Sequence, residues 1–280
     1  WLDPLLDGRI RSAFLMTEPN VASSDASNMA ATARISGDEV VLDGCKWWST
    51  GVGHPDCEVG IFMGVTDPDA HRYLRHSMVL VPMDAPGVTV ERMLTAQGMF
   101  DEPLGHGQVR LEGVRVPVGN IISGPGQASA IAQGRLGPGR VHHCMRLIGL
   151  AEMALDLACR RASERVAFGK PIANLGGNRE RLAEARIAID QARLLVQHAA
   201  WKLDTEGQAA VEVSAIKAAV PRMAAQVIDM SMQLHGGGGM SEDFPLAGAY
   251  ATARALRLAD GPDEVHLGVV ARAMLAPYRD

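Results

Sequence analysis

The chain has 280 residues, 47% of them apolar and 21% charged, which supplies a substantial core and excludes disordered or collagen-like classes. A formal net charge of -5 and a pI near 6.0 leave no basic footprint, and the arginines are scattered, so nucleic-acid binding is not expected. The apolar runs fall short of the roughly 20 residues a membrane-spanning helix needs, so no stable membrane insertion is expected either.

The sequence opens on Trp1-Leu2-Asp3-Pro4 without an initiator Met, which places the true N-terminus and any targeting segment outside these residues. Lysine occurs only at Lys46, Lys170, Lys202 and Lys217, against abundant Arg, Ala and Gly; the bias is that of a GC-rich bacterial genome. Cys45, Cys57, Cys144 and Cys159 lack C-x-x-C spacing and sit in apolar or helical surroundings. Free thiols in a reducing, cytoplasmic compartment are expected, with no disulfide framework and no zinc site.

Between Ser12 and Ile122, short apolar runs alternate with turn residues: Ala13–Met16, Val40–Leu42, Val59–Val65, Ser77–Val81, Val88–Val90 and Val109–Leu111. Their period of two predicts a β domain of about six to eight strands, a barrel or sandwich over residues 1–123. From Gln127 the apolar spacing changes to i, i+3, i+4, which predicts helices over Ala130–Ala167, Arg179–Thr205, Val211–His235 and Asp263–Leu275. The expected fold class is therefore α+β, a β domain followed by a C-terminal four-helix bundle over residues 124–280, with the boundary at Gly124-Pro125-Gly126. Pro221, inside the third helix, should kink it or mark its first turn. No internal repeat and no low-complexity segment is present.

Four segments stand out chemically. The strand running from Phe14 into the loop Met16-Thr-Glu-Pro-Asn-Val-Ala-Ser-Ser-Asp25 ends in hydroxyls and backbone donors, which suit either an ordinary capped turn or the carbonyls of a planar heterocycle or a phosphate. In Lys46-Trp47-Trp48-Ser49-Thr50 the two indoles should face opposite ways along a strand. They read as a core and a surface Trp, or as an aromatic wall against a flat cofactor with Ser49 or Thr50 at its edge. Gln233-Leu-His-Gly-Gly-Gly-Gly-Met240 ends a helix in more glycines than a C-cap requires, so close approach of a ligand is one reading. In Asp260-Gly261-Pro262-Asp263-Glu264, the last two carboxylates suit a helix N-terminus, and Asp260 is either a cap or a reactive carboxylate. The adjacent His142 and His143 project about 100° apart on a helix and cannot readily share an ion.

Taken in order, these segments resemble the acyl-CoA dehydrogenase family of flavoenzymes. Met16-Thr17-Glu18-Pro19 with Ser24-Asp25 is similar to the TEP-x-x-GSD flavin loop, with one extra residue in Ala22-Ser23-Ser24. Trp48-Ser49-Thr50 is similar to W-[IS]-T/S, Arg165-Val-Ala-Phe168-Gly-Lys170 to R-x-x-FGK, and Gln233 to Gly239 to Q-x-x-GG-x-G, while Asp243-Phe244-Pro245 resembles an acidic-aromatic-proline step. Arg135 to Met145 and Leu258 to His266 most resemble the branch fused in animals to an aminoglycoside-phosphotransferase-like kinase domain, a branch associated with long-chain and 4-hydroxyacyl-CoA breakdown. The family's N-terminal helical domain is not contained in these residues, and its Arg-Asp pair is replaced by Ala251-Thr252.

The resemblance implies FAD as cofactor and α,β-dehydrogenation of an acyl-CoA thioester. Asp260 stands gaplessly from Phe244-Pro245 at the place of the catalytic base, and burial beside apolar substrate should raise its pKa toward neutrality. The resemblance places Phe14, Met16, Thr17, Ser23, Ser24, Trp48, Ser49, Thr50, Pro262 and Glu264 at the flavin. It places Ser24, Arg140 and Gly261 at the substrate, although Arg140 also reads as half of a bundle salt bridge. Arg165, Phe168, Gln233 and Gly237 would reach the FAD of a neighbouring copy, with Gly236 also at the cofactor, implying a homodimer or homotetramer, with an electron-transfer flavoprotein or similar acceptor. Three other functions share these residues: an acyl-CoA oxidase, a lyase or dehydratase on 4-hydroxyacyl or 4-phosphoacyl thioesters, and a non-catalytic flavoprotein scaffold.

Overall fold

A short helix, α1 (Leu2–Leu6), precedes seven strands: β1 (Arg11–Leu15), β2 (Thr32–Ser36), β3 (Glu39–Thr50), β4 (Cys57–Val65), β5 (His76–Pro82), β6 (Val88–Leu94) and β7 (His106–Pro117). The computed structural model describes residues 1–100 and 103–278 and divides within the next helix into two compact units, Trp1–Gly134 and the described residues from Arg135 onward. In the first unit the strands form one sheet in the order β1-β4-β2-β3-β7-β6, with β5 also on β4. β1 runs parallel to β4, and β5 pairs antiparallel along the other edge of β4. Leu15, Ala33, Leu42, Phe62, Val81, Val109 and Leu111 share a single cluster. Residues from β1 and from β7 meet in that cluster, so the sheet curls around one core.

β2 is absent from the sequence expectations because Thr32–Ser36 holds only two apolar residues, Ala33 and Ile35, of which only Ala33 is buried. It forms as one arm of a hairpin in which Ser36 pairs with Glu39 across Gly37-Asp38, with Gly37 at φ 63. A two-residue turn opening on Gly at positive φ matches the twist of the flanking strands.

The second unit is helical: α2 (Ala128–Glu164), α3 (Asn178–Glu206), α4 (Ala210–His235), α5 (Leu246–Ala255) and α6 (Asp263–Leu275). Leu147, Ile148, Ala151 and Leu155 of α2 share a core with Ile189 and Val196 of α3, Ile216, Val220 and Val227 of α4, and Leu246 and Ala253 of α5. Alanines on these faces let the helices approach closely. The expected helix over Ala130–Ala167 ends instead at Glu164, where a small hairpin, β8 (Val166–Ala167) and β9 (Lys170–Pro171), begins. Phe168 and Gly169 form its turn at φ 53 and 78, the double-positive pattern of a tight hairpin turn. α5 escaped notice for want of length, and Pro245 stands at its N-cap. Pro221 does not open a helix; it is buried within α4, which continues on both sides of it.

The close approach of β3 to the segment before β2 requires glycine. A Cβ on Gly44, at φ 150, would lie 2.5 Å from Ala31 Cβ, whereas one on Gly113, at φ 59, would meet nothing within 4 Å. Gly44→Ala is expected to cost about 1–3 kcal/mol from overpacking in addition to its backbone strain, and Gly113→Ala only the roughly 1–2 kcal/mol of a left-handed non-glycine. Comparison of the two urea midpoints checks the order.

Candidate active site

One fully buried ammonium organises the loop after β1. Lys46 Nζ donates to the carbonyls of Met16 at 3.0 Å and Met63 at 2.6 Å, and pairs with Glu18 Oε1 at 2.7 Å. The Glu18 carboxylate also accepts from the N–H groups of Ala30 at 2.8 Å and Ala31 at 3.0 Å. Ser23 braces the same loop, its Oγ accepting from Glu18 N–H at 2.9 Å and donating to Glu18 O at 3.1 Å. The Ser23 hydroxyl is therefore engaged inside the loop. Burial lowers the Lys46 pKa to about 8 against the opposing pull of Glu18, and the ammonium lies 4.8 Å from the centre of the Phe62 ring. Sequence reasoning treated Lys46 only as a flank; the missed signal was a lysine in a strand that buries its neighbours.

The indoles do not alternate as a regular strand would have them. The ladder of β3 with β7 shifts between Lys46 and Ser49, which pair with Val109 and Gly107, so Trp47 and Trp48 together oppose one residue in a bulge. Trp48 adopts φ 54, and the two rings come within 5.7 Å of each other. Trp47 N–H donates to Thr17 O at 2.7 Å, tying the bulge to the loop that Lys46 holds. The Trp48 ring is 37% exposed and lies 5.5 Å from the His106 ring. Past the bulge Ser49 is fully buried, with an unpartnered hydroxyl. Thr50 is exposed, with Oγ1 2.9 Å from His106 Nδ1. Of the two hydroxyls, burial leaves only that of Thr50 at the surface beside Trp48. Phe14, Met16 and Thr17 are half-buried, and Ser24 is exposed.

In the helical unit, Asp260 follows α5 on a loop held from three helices. Its carbonyl accepts from Arg140 Nε of α2 at 3.0 Å and lies 3.1 Å from His266 Nε2 of α6. A carbonyl only accepts, so the His266 proton sits on Nε2, leaving Nδ1 to face Ser214 Oγ at 3.3 Å. Lys217 of α4, fully buried, donates to Leu256 O at 2.6 Å and Gly261 O at 3.1 Å. Asp260 sits at φ 56 and Gly261 at φ 104; a Cβ at Gly261 would come 2.7 Å from His266 Nε2. Arg140 thus makes a main-chain bond here rather than a carboxylate pair.

The Asp260 side chain is 23% exposed, with Oδ2 3.1 Å from His143 Nε2. The expected upward shift concerns a carboxylate covered by substrate; in the chain by itself the carboxyl lies lower. Burial does raise it, but the His143 hydrogen bond and the charges of His143, Arg135 and Arg140 outweigh burial and hold the carboxyl below the ordinary range. The neighbouring acids differ. Asp263 is buried and accepts from Arg222 at 2.9 Å and Arg257 at 2.8 Å, while Glu264 is exposed and Pro262 is the N-cap of α6. An ion pair thus explains Asp263 in addition to its helix position.

Elsewhere in this unit, Gln233, Gly236 and Gly237 line a cavity of about 250 Å³ with Asp229, Met232 and Met240. Nothing stands within 4 Å of a Cβ placed on Gly236 or Gly237. Arg165 is exposed just before the β8–β9 hairpin, and Phe168 at its tip is 95% exposed.

Residues 13–114 match the model of the acyl-CoA dehydrogenase middle domain, and residues 128–275 that of the acyl-CoA dehydrogenase C-terminal domain. Acyl-CoA dehydrogenase family member 10 of Mus musculus is 53% identical over 277 residues, covering 98% of this chain and 26% of the mouse protein. The Mycobacterium tuberculosis protein named "Probable acyl-CoA dehydrogenase FadE2" is 51% identical over 278 residues, covering 99% of this chain and 68% of that protein. Among solved structures, butyryl-CoA dehydrogenase of Megasphaera elsdenii superposes with a TM-score of 0.89 at 30% identity, over 98% of this chain and 70% of that one. The chain spans only 26% and 36% of the lengths of the mouse and Gallus gallus relatives.

Removing the cation beneath the loop should be costly. Lys46→Met leaves the Glu18 carboxylate buried without its partner, and a loss of about 3–5 kcal/mol is expected, read as a lower denaturation midpoint. Adding Glu18→Leu should not restore stability, because Ala30 and Ala31 would then lose their acceptors.

Proposed function

This chain belongs to the acyl-CoA dehydrogenase family, and on that premise we propose that it serves the FAD-dependent α,β-dehydrogenation of acyl-CoA thioesters with Asp260 as the base. The observation that carries the reading is the Asp260 loop: a partly exposed carboxylate on a left-handed residue, its main chain pinned by Arg140, Lys217 and His266. Strain of this kind persists where the surroundings over-determine it, and it concentrates at functional sites.

The chemistry of the residues fits a flavin dinucleotide. In the β unit, the exposed Trp48 ring and the Thr50 hydroxyl suit the face and edge of a planar heterocycle. Phe14, Met16, Thr17 and Ser24 line the braced loop beside them. In the helical unit, the open glycine cradle at Gly236-Gly237 and the Gln233 amide suit a polar dinucleotide half. Pro262 and Glu264 complete the proposed contacts. Bound FAD supplies the hydride acceptor. Asp260 takes the α-proton, and Gly261 and Arg140, with Ser24, contact the thioester or its CoA. Because its neighbours keep Asp260 ionised, the base is present over a wide pH range, and donors aimed at the thioester oxygen must supply the remaining driving force.

Arg165 and Phe168 project from the surface, and a phenyl ring this exposed is better explained by a covering partner than by solvent. We assign both to the FAD of a neighbouring copy in a homodimer or homotetramer. An electron-transfer flavoprotein is the proposed acceptor; rapid reaction of the reduced flavin with oxygen would mark an oxidase instead. A second reading, elimination of an oxygen substituent at C4, is favoured by the guanidinium groups of Arg135 and Arg140 near Asp260, which suit an anionic leaving group.

Full-length protein is expected to be yellow and to bleach with acyl-CoA. Asp260→Asn should keep its flavin and lose about 10²–10⁴ in reduction rate; normal reduction by that variant, with loss in Glu264→Gln, would move the base to Glu264. Arg165→Ala should loosen both FAD and the oligomer through mass action, and a monomer that keeps stoichiometric FAD on dilution contradicts the shared site.

A further inference from the structure

His142-His143 has no part in the function proposed above, yet His143 makes the one close contact to the Asp260 carboxylate among the described residues. Its Nε2 lies 3.1 Å from Oδ2, with side-chain exposures of 26% and 23%. No hydrogen bond to Oδ1 is made among the described residues. The main chain of Asp260 cannot swing to compensate, since Arg140 and His266 hold its carbonyl and Lys217 holds the next one. With the backbone fixed, the carboxylate retains only its side-chain torsions, and the 3.1 Å contact with His143 Nε2 bears on those. His143 Nδ1 is buried without a partner, and Nε2 is the ring nitrogen that faces the carboxylate. His142 is exposed, its ring centre 6.4 Å from that of His143.

We propose that His143 is a positioning residue for the base: its Nε2–H holds Oδ2 of Asp260 and presents Oδ1 to the α-proton. The inference rests on the reading of Asp260 as the base. The charged and titratable groups facing this carboxylate are Arg135, Arg140 and His143 from α2, Lys217 from α4, and His266 from α6, with Asp263 beyond. Of these, His143 contributes most to stabilising the anion, and burial opposes it. Removing the imidazole therefore raises the Asp260 pKa. A carboxylate that titrates higher is a stronger base once ionised, so a fall in the limiting rate of the variant reports lost aim rather than lost basicity.

The test uses full-length protein holding its flavin, with two measurements. One is the pH dependence of flavin reduction by acyl-CoA, resolved into limiting rate and half-saturation. The other is an infrared titration of the Asp260 carboxyl without substrate, its band identified by disappearance in Asp260→Asn. In His143→Ala the acid limb and the infrared titration should both move to higher pH. The limiting rate should fall by about 10- to 100-fold, as for other residues that orient a reacting side chain, with half-saturation little changed. In His143→Gln, whose amide N–H reaches the place of Nε2, most of the rate should return while the titration still lies above that of the wild type. Should His143→Ala not retain flavin, His143→Gln carries both titrations with the same expected direction. An unmoved titration, or equal loss of rate in the Ala and Gln variants, overturns the proposal. If Asp260→Asn reduces flavin normally, the base assignment falls and the proposal with it, whereas inactive Asp260→Asn beside an unmoved His143 titration overturns the role of His143 alone.

Discussion

Two ammonium groups taken wholly out of water fix the loops on which this chain depends. Lys46 and Lys217 are the fully buried lysines among the described residues, and both spend their donors on main-chain carbonyls: Met16 and Met63 for Lys46, Leu256 and Gly261 for Lys217. An ammonium has three donors and a flexible stem, so it can bind carbonyls that belong to no regular element. A neutral group of the same reach would satisfy fewer of them. The desolvation cost appears in both side chains, whose pKa values burial lowers. Only Lys46 recovers part of that cost through a carboxylate at contact distance, Glu18.

Loops held this firmly can store strain. Among the described residues five non-glycines take positive φ, Trp48, Gln97, Ser123, Phe168 and Asp260, and three of them carry proposed roles. Trp48 lies beside the strand residue Lys46 and is tied through Trp47 to the loop that Lys46 secures. Asp260 precedes a carbonyl that Lys217 secures. Each distortion costs about 1–2 kcal/mol; the register shift against β7 accompanies that at Trp48, and bonds from Arg140, His266 and Lys217 to adjacent carbonyls flank that at Asp260. Phe168 differs, since a tight hairpin turn with Gly169 accounts for its conformation locally.

The order of a β unit before a helical one was legible because the apolar period changes once, near Gln127, and periodicity directly reflects which faces are buried. The resemblance rested on local motifs, and those motifs proved to lie on turns, bulges and helix ends. What sequence reasoning missed has a common physical character. The bulge at Trp47-Trp48 needs a register shift set by β7, and the hairpin after α2 interrupts a pattern that reads as helix. The partners of Asp260 are up to 120 residues away in sequence. No local pattern announces such contacts. Lys46 and Lys217 were readable in principle, as rare lysines within runs whose neighbours are buried.

The electrostatics of Asp260 follow from the same arrangement. Burial pushes the carboxyl up, while His143, Arg135 and Arg140 pull it down further, so its pKa lies below the ordinary value in the chain by itself. An acyl thioester placed against this carboxylate would displace water and strengthen the upward push, because low dielectric disfavours the charged form. If Asp260 is the base, as proposed, it would be ionised before substrate arrives and would gain basicity as substrate binds. A carboxyl already raised to neutrality would be half protonated at physiological pH and would forfeit part of every encounter. On the proposed reading, cations near Asp260 and exclusion of water by the substrate would act in sequence, the first securing the protonation state and the second supplying the driving force for proton removal.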